Sequence, residues 1–494
     1  MIRALPDLLA SQAALCGDAV ALEETATGAT LTYAELDRRS SQAAAMLAAR
    51  HVKAGDRVAI LCRNRAAFFE LLFGCARIGA VLVPLNWRMP AAELDALVAH
   101  AEPVLLCHDR ECRQLVAGLN AVPETLDIDE DYEALLASAR PIEARVTWPA
   151  GDSWYLLYTS GTTGRPKGVI YTYAMALANF VNVGGATALR SADRVPAFLP
   201  FFHTAGINLY ALPTLFAGGR VLVMPGFDAG ALLGLIGERR MDLVFGVPTI
   251  FHDLIEHPGF ESAPLDQVRH WACGGAALPD RLAERYRDCG IRLCNGMGMT
   301  ETGPMALLMT PGDAWARIGS VGRPQLLCSA RIVDEAGNEL PHGEVGELLF
   351  AGPAITPGYW RNEEATRAAF TVDGWLRSGD LARRDQDGLF WVEGRRKEMF
   401  VSGGENVYPA EIEKVLACHP DVVEAAVLAV PDTRWGETGE AYVQLAPGAA
   451  ALPPEDLRAF CRERLAPYKV PKSFRFVEDF PRTSAGKIQK HLLA

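Results

Sequence analysis

The chain has 494 residues, 50% of them hydrophobic and 22% charged, which suits two or more domains around a large core. Its net charge of -12, from 48 basic and 60 acidic residues, argues against a nucleic-acid or anionic-membrane surface. No twenty-residue apolar run occurs; 68–84 comes nearest and is broken by Glu70 and Arg77, so no membrane span is expected. Pro6 and Asp7 interrupt any signal-peptide core, and the last four residues are not a peroxisomal address. Eleven cysteines without a C-x-x-C pair read as thiols of a reducing compartment, and Cys107/Cys112 and Cys289/Cys294 lack a histidine at zinc-ligand spacing. The expectation is a cytoplasmic protein.

Apolar runs alternate with helical periodicity from the start. Residues 57–62 read as a buried strand, 66–78 as a helix and 81–84 as the next strand. Strands are expected at 154–157, 220–223, 242–245, 268–273 and 291–295, with helices at 229–239 and 279–288 between them. Such alternation implies parallel sheets covered on both faces. After Gly319 the pattern changes to short strands at 330–333, 346–351 and 389–392, as in a small β-barrel or antiparallel subdomain. A second regime begins near Arg395: a helix at 409–416 with proline at its start, strands at 422–430 and 441–445, and a helix at 455–465. About a hundred residues of compact α+β follow the larger part.

One run carries most chemistry. Tyr158-Thr-Ser-Gly-Thr-Thr-Gly-Arg-Pro-Lys-Gly-Val169 holds four hydroxyls besides the phenol's, three glycines and one free lysine, directly after a strand. Glycines bring backbone N–H groups close to an anion, hydroxyls add donors, and Lys167 adds a charge that needs no fixed orientation. That is the chemistry of a loop around nucleotide phosphates. It is not a Walker A loop, because Pro166 and Gly168 flank Lys167. Nor is there a dinucleotide fingerprint: Gly296-Met-Gly298-Met-Thr-Glu301 puts a carboxylate where the third glycine belongs.

The run resembles the signature loop of the AMP-forming acyl-CoA synthetase, adenylation-domain and luciferase superfamily, and further motifs follow in that family's order. Leu31-Thr-Tyr-Ala-Glu-Leu36 and Gly79-Ala-Val-Leu-Val-Pro-Leu-Asn86 are similar to its N-terminal segments. Phe202-His-Thr-Ala-Gly206 resembles the motif whose histidine or aromatic gates the acyl pocket. Gly274-Gly-Ala-Ala277 resembles the turn lining adenine, and Asn295-Gly-Met-Gly-Met-Thr-Glu301 the motif that meets the α-phosphate and metal. Met297 departs from the usual aromatic, so the local adenine contacts differ. Trp375-Leu-Arg-Ser-Gly-Asp380 resembles the ribose motif, Gly394-Arg-Arg-Lys-Glu-Met399 the domain junction, and Pro481-Arg-Thr-Ser-Ala-Gly-Lys487 the loop with the catalytic lysine.

The resemblance implies an α/β fold: a large N-terminal domain of doubly wound sheets plus a small β-barrel (1–394), and a smaller mobile C-terminal α+β lid (395–494). It implies a ligase that joins a carboxylic acid, ATP and coenzyme A in two steps, with Mg²⁺ on Glu301. Lys487, Glu301, Thr300 and His203 are the implied catalytic residues. Thr159, Ser160, Gly161, Thr162, Thr163, Gly164 and Lys167 would hold phosphates. Gly275, Ala276, Ala277, Asn295, Gly296, Met297, Gly298, Asp380 and Arg395 would complete the nucleotide site. Lys397 is the implied hinge, with Ser402, Gly403 and Gly404 on the loop that enters when the lid turns. The implied acyl pocket comprises His203, Ala205, Leu209, Phe245, Gly246, Gly296, Pro304 and Met305, small or apolar residues with no anchor for a second charge.

Two other readings share these motifs: a stand-alone adenylation enzyme loading a carrier protein, and a luciferase-like or non-catalytic nucleotide binder. The former usually carries an acidic residue after the gate motif, and 202–209 has none; Glu301 with Lys487 speaks against the latter. Among ligases, hydroxycinnamic or aryl acids and medium- to long-chain fatty acids both stay open. No nucleic-acid partner or membrane span is implied, and a homodimer is left open.

Overall fold

The structure is a computed structural model that describes residues 2–120, 123–140, 142, 144–159, 166–402, 404–446, 448–449, 452–482 and 488–493. The apolar run after residue 56 forms the strand Arg57–Leu61, with parallel partners Val81–Pro84 and Leu105–His108 on its two sides. Covered on both faces, such strands need no polar alternation, which is why the run reads as continuously apolar. The sheet has six strands in the order Lys167–Thr172, Ser153–Thr159, Val81–Pro84, Arg57–Leu61, Leu105–His108 and Glu124–Asp127. All pair in parallel except the first two, an antiparallel hairpin. Helix Ala66–Ile78 lies against helix Tyr33–Ala49, whose start is fixed by a capping box of Thr32 and Glu35. The two helices approach so closely at Gly74 that a Cβ there would stand 3.0 Å from that of Ala43.

A second sheet orders Arg194–Ala197, Arg220–Val223, Val20–Glu24 and Thr30–Thr32. A third begins with the parallel strands Leu243–Gly246, His270–Cys273 and Leu293–Met297 and ends with the antiparallel Leu307–Leu308 and Arg323–Pro324. The segment expected as a small β-barrel or antiparallel subdomain takes the second form, a four-stranded antiparallel sheet: Ser329–Val333, Gly346–Ala351, Leu376–Arg384 and Phe390–Arg395. Val321 donates its N–H to the Phe390 carbonyl, so a single bridge rather than a fifth strand extends its edge.

The C-terminal α+β part has its own sheet and core. Val422–Asp432 and Gly436–Leu445 form a long antiparallel pair; on the free edge of Gly436–Leu445, Ser473–Val477 joins in parallel and the hairpin Phe400–Ser402/Glu405–Val407 meets its first residue, Ser402 opposite Gly436. Helices Pro409–Ala417 and Pro454–Arg462 bury Ile412, Leu416 and Leu457 against Phe400, Val427 and Val443. Among the described residues, no helix is long and apolar enough to cross a membrane.

Candidate active site

The hairpin of the first sheet opens the site. Lys167 pairs across from Thr159, so the two ends of the hydroxyl-rich run are held side by side. Ser160, Gly161, Thr162, Thr163 and Gly164 lie outside the described residues. Segment 356–360 runs along the hairpin's free edge: Trp360 donates its N–H to the Gly168 carbonyl at 2.7 Å, and Ile170 donates to that of Gly358 at 3.2 Å. This places the Tyr359 ring under the Lys167 ammonium, 4.9 Å from the ring centroid. The Tyr359 hydroxyl donates to Glu301 Oε1 at 2.9 Å. Burial and the Glu301 carboxylate push the Tyr359 phenol up, so it stays a donor.

Glu301 is 7% exposed and sits in the short turn Thr300–Thr302, which follows the strand Leu293–Met297. Its backbone carbonyl accepts the Thr356 N–H. Glu301 Oε2 has no partner among the described residues, and those residues contain no cluster of three or more His, Cys, Asp or Glu side chains arranged for a metal. One buried carboxylate with an open oxygen, joined through Tyr359 to Lys167, fits Mg²⁺, which binds through one or two carboxylates, substrate phosphates and water.

The ends of two neighbouring parallel strands make a narrow backbone crevice. Cys273 pairs with Asn295, so Gly274-Gly-Ala-Ala277 leaves the sheet beside Asn295–Gly298, where Gly296 and Met297 go on to pair with Leu308 and Leu307. A Cβ on Gly274 would lie 3.0 Å from the Gly296 carbonyl oxygen, and one on Gly298 only 1.6 Å from that of Pro304. Asn295 donates to the Ser320 carbonyl at 2.9 Å, whereas its buried Oδ1 has no partner among the described residues. A buried acceptor left open calls for a donor from a ligand or water. Met297 packs against the apolar cluster that includes Leu307, Val321 and Phe350. Asp380, 5% exposed, is opposite Arg395 across the antiparallel sheet, and their side chains meet at 2.6 Å. Lys397 follows in the turn that leads to Phe400–Ser402.

The gate motif ends in a π-helical turn, Ala205–Leu209. Ala205, Gly206, Leu209, Tyr210 and Phe245 line a small cavity with no charged side chain in its wall. Met305 packs in the same apolar cluster as Leu209 and Phe245. His203, Gly246, Gly296 and Pro304 are not in that wall. The open side of Gly246 faces Ile250 and Phe251 of the next helix. His203 sits against Phe202, ring centroids 4.6 Å apart; burial, helped by Arg88, pushes its imidazole down to about 4. It is neutral near pH 7.

On the C-terminal part, Ser402 is buried at the hairpin tip and Gly404 has a positive φ of 87°, a conformation suited to glycine. Gly403 and Lys487 lie outside the described residues. The residues flanking 483–487 are tied down: Arg482 and Ile488 form a β-bridge, and Lys490 reaches Glu398 at 2.5 Å and Glu413 at 2.7 Å. The sequence motifs missed Tyr359, which joins Lys167 to Glu301. Its signal is Gly358-Tyr-Trp360, a glycine before two aromatics in a loop, too short to stand out.

Residues 9–360 match the family model for AMP-binding enzymes, and 411–487 match the C-terminal domain of AMP-binding enzymes. The chain belongs to the AMP-binding enzyme family. It is 43% identical over 471 residues to a feruloyl-CoA synthase of Amycolatopsis sp, covering 94% of this chain and 93% of that one. An indoleacetate–CoA ligase of Aromatoleum aromaticum is 37% identical, with 93% and 92% covered. The o-succinylbenzoate CoA synthetase of Bacillus subtilis, solved with its acyl-adenylate intermediate, superposes with a TM-score of 0.90 at 31% identity over 100% of this chain and 98% of that one. This AMP-binding enzyme is an AMP-forming acid–CoA ligase that uses ATP and CoA.

Proposed function

We propose that the enzyme activates an uncharged, apolar acid of aryl, hydroxycinnamic or medium- to long-chain fatty type, through the residues gathered around Tyr359. The observation that carries this reading is the meeting of Lys167 and Glu301 at the face and the hydroxyl of that one ring. It sets a cation for the departing phosphates beside a buried carboxylate suited to a metal. In the first step the substrate carboxylate attacks the α-phosphorus of ATP, giving acyl-AMP and pyrophosphate. Lys487 bridges carboxylate and α-phosphate oxygens, Thr300 donates to the α-phosphate, and Thr159, Ser160, Thr162, Thr163 and Lys167 hold pyrophosphate. Mg²⁺ on Glu301, when bound, offsets phosphate charge. Asp380 accepts from the ribose hydroxyls, and the crevice at Gly275 and Asn295 takes the base.

In the second step the CoA thiolate attacks the acyl carbon and AMP leaves. Lys487 must withdraw first, so the reading divides the chain at 394/395 and turns the C-terminal part about Lys397, bringing Ser402, Gly403 and Gly404 to the site. A cytoplasmic setting belongs to the same reading, supported by eleven free cysteines. The uncharged wall at Ala205, Leu209 and Phe245 supports the acid class. Burying a second, unpaired charge there costs several kcal/mol, about a thousandfold in turnover. Pyrophosphate release with ferulate, 4-coumarate, octanoate, malonate and free amino acids tests this. Ferulate, 4-coumarate or octanoate should lead by that margin; malonate or an amino acid turning over comparably would overturn the assignment.

A further inference from the structure

We infer that Tyr171 is a positioning residue that transmits the state of the acid cavity to the Thr300–Glu301 turn through a one-way chain of hydrogen bonds. The inference rests on the proposed role of that turn in holding phosphate and metal. Tyr155 and Tyr171 face each other across the hairpin beneath the phosphate run, stacked with centroids 4.8 Å apart, and both are fully buried. Tyr155 donates its hydroxyl proton to Asn208 Oδ1 at 2.6 Å. Asn208 Nδ2 donates to Thr204 Oγ1 at 3.2 Å. The Tyr171 hydroxyl lies 2.5 Å from both Thr204 Oγ1 and the Thr300 carbonyl oxygen.

A carbonyl only accepts, so the single Tyr171 proton goes to Thr300, and Thr204 must donate its own to Tyr171. Every proton is then committed in one direction, from Tyr155 through Asn208, Thr204 and Tyr171 to the peptide that precedes Glu301. Two members of this chain belong to the acid cavity's wall segment. Thr204 precedes Ala205 and Asn208 precedes Leu209, the cavity-lining ends of the π-helical turn. Asn179 Nδ2 also donates to the Asn208 backbone carbonyl at 2.5 Å, so the widened turn is held from behind. A ligand that shifts Ala205 or Leu209 therefore moves the donors to Tyr171. The loop that binds acid and the turn that meets ATP are coupled without touching each other's ligand.

The test is pyrophosphate release by the full-length enzyme, with the KM for ATP measured at low and at saturating acid (ferulate or octanoate, whichever the wild type turns over). The wild type should show an ATP KM that falls as acid saturates. Tyr171→Phe leaves the Thr300 carbonyl unpaired; it should flatten that dependence and lower the adenylation kcat about tenfold. CoA transfer from supplied acyl-AMP should stay unchanged. Thr204→Val should behave alike, Thr204→Ser should restore the wild-type pattern, and the double variant should be no worse than either alone. Tyr155→Phe, at the far end, should have the smallest effect on ATP. An ATP dependence that survives in Tyr171→Phe, or is absent from the wild type, overturns the coupling, as do additive losses or a lower melting temperature alone. Should Tyr171→Phe not fold, Thr204→Val against Thr204→Ser decides. Glu301→Gln in the same assay separates the two readings: an unchanged magnesium dependence there defeats the role of the turn itself, whatever Tyr171 does.

Discussion

The walls of the site and the C-terminal part are held by different forces. Around the hairpin, neighbouring segments are braced by buried, neutral hydrogen bonds: Tyr171 to Thr300, Asn295 to Ser320 and Thr356 to the Ile170 carbonyl. Breaking one leaves a buried polar group unpaired, at about 1–3 kcal/mol, so these segments keep their spacing. The C-terminal part meets the rest partly through groups of the other kind: Lys414, whose side chain is 49% exposed, pairs with Asp280 at 2.8 Å, and the exposed Arg281 donates to the Pro420 carbonyl at 3.3 Å. Exposed pairs contribute little and are re-formed by solvent when broken. A contact surface of that kind can be left and regained, which suits a lid; the site walls cannot.

The largest expected effect comes from the lysine of the proposed lid. Lys487→Ala should cut acyl-AMP formation at least a hundredfold, on the order of 3 kcal/mol of lost charge stabilisation. Transfer to CoA from supplied acyl-AMP should persist, because in the proposed mechanism the lysine acts in the first position of the lid alone. Equal loss in both half-reactions would mean that the lid does not move between them.

The rigid side has a pH signature. Burial holds the imidazoles of His203 and His270 down to about 4, against about 6.5 in an unfolded chain. Between those values the unfolded state binds more protons, so stability rises with pH through this window and is lost as pH falls from 6.5 toward 4. Each histidine contributes on the order of 3 kcal/mol at the alkaline end. Thermal melts between pH 4 and 7 should show the slope, and His270→Gln should reduce it. A flat profile would mean that these rings are hydrated and the walls looser than drawn.

Glu301→Gln comes next in size. An amide oxygen carries less charge than a carboxylate, so the magnesium concentration for half-maximal adenylation should rise about tenfold while the fold is kept. Tyr359 can still donate to the amide oxygen, which separates loss of charge from loss of bracing. An unchanged magnesium requirement would assign the metal to another group.

What could be read from sequence divides along the same line. Helix Ala66–Ile78 and strand Leu243–Gly246 follow from local apolar pattern. The bracing could not be read, because its partners are far apart in the chain: Tyr155 and Asn208 are 53 residues apart, Tyr171 and Thr300 are 129. A tyrosine in an apolar strand looks like core until the sheet brings an acceptor to its hydroxyl. Gly246 is placed differently from its neighbour for a related reason. Its neighbour Phe245 lines the cavity, but strand residues alternate, so Gly246 opens toward Ile250 instead.

The smallest effect is the most direct measure of the difference between walls and lid. The Lys414 side chain is half exposed, so its pair with Asp280 should be worth less than about 1 kcal/mol. Lys414→Ala should leave the melting midpoint within about 2 °C of the wild type. Its effect should appear instead in the ratio of adenylation to CoA-transfer rates, by up to about fivefold, since a weak contact made in one lid position alone biases the population between positions. Salt screens such a pair over a few ångströms, so the wild type at roughly 0.5 M salt should approach the variant's ratio, while Tyr171→Phe should respond to salt no more than the wild type does. A melting loss of many degrees in Lys414→Ala, with both half-reactions failing together, would mark the interface as permanent and put the C-terminal part in the same mechanical class as the site walls.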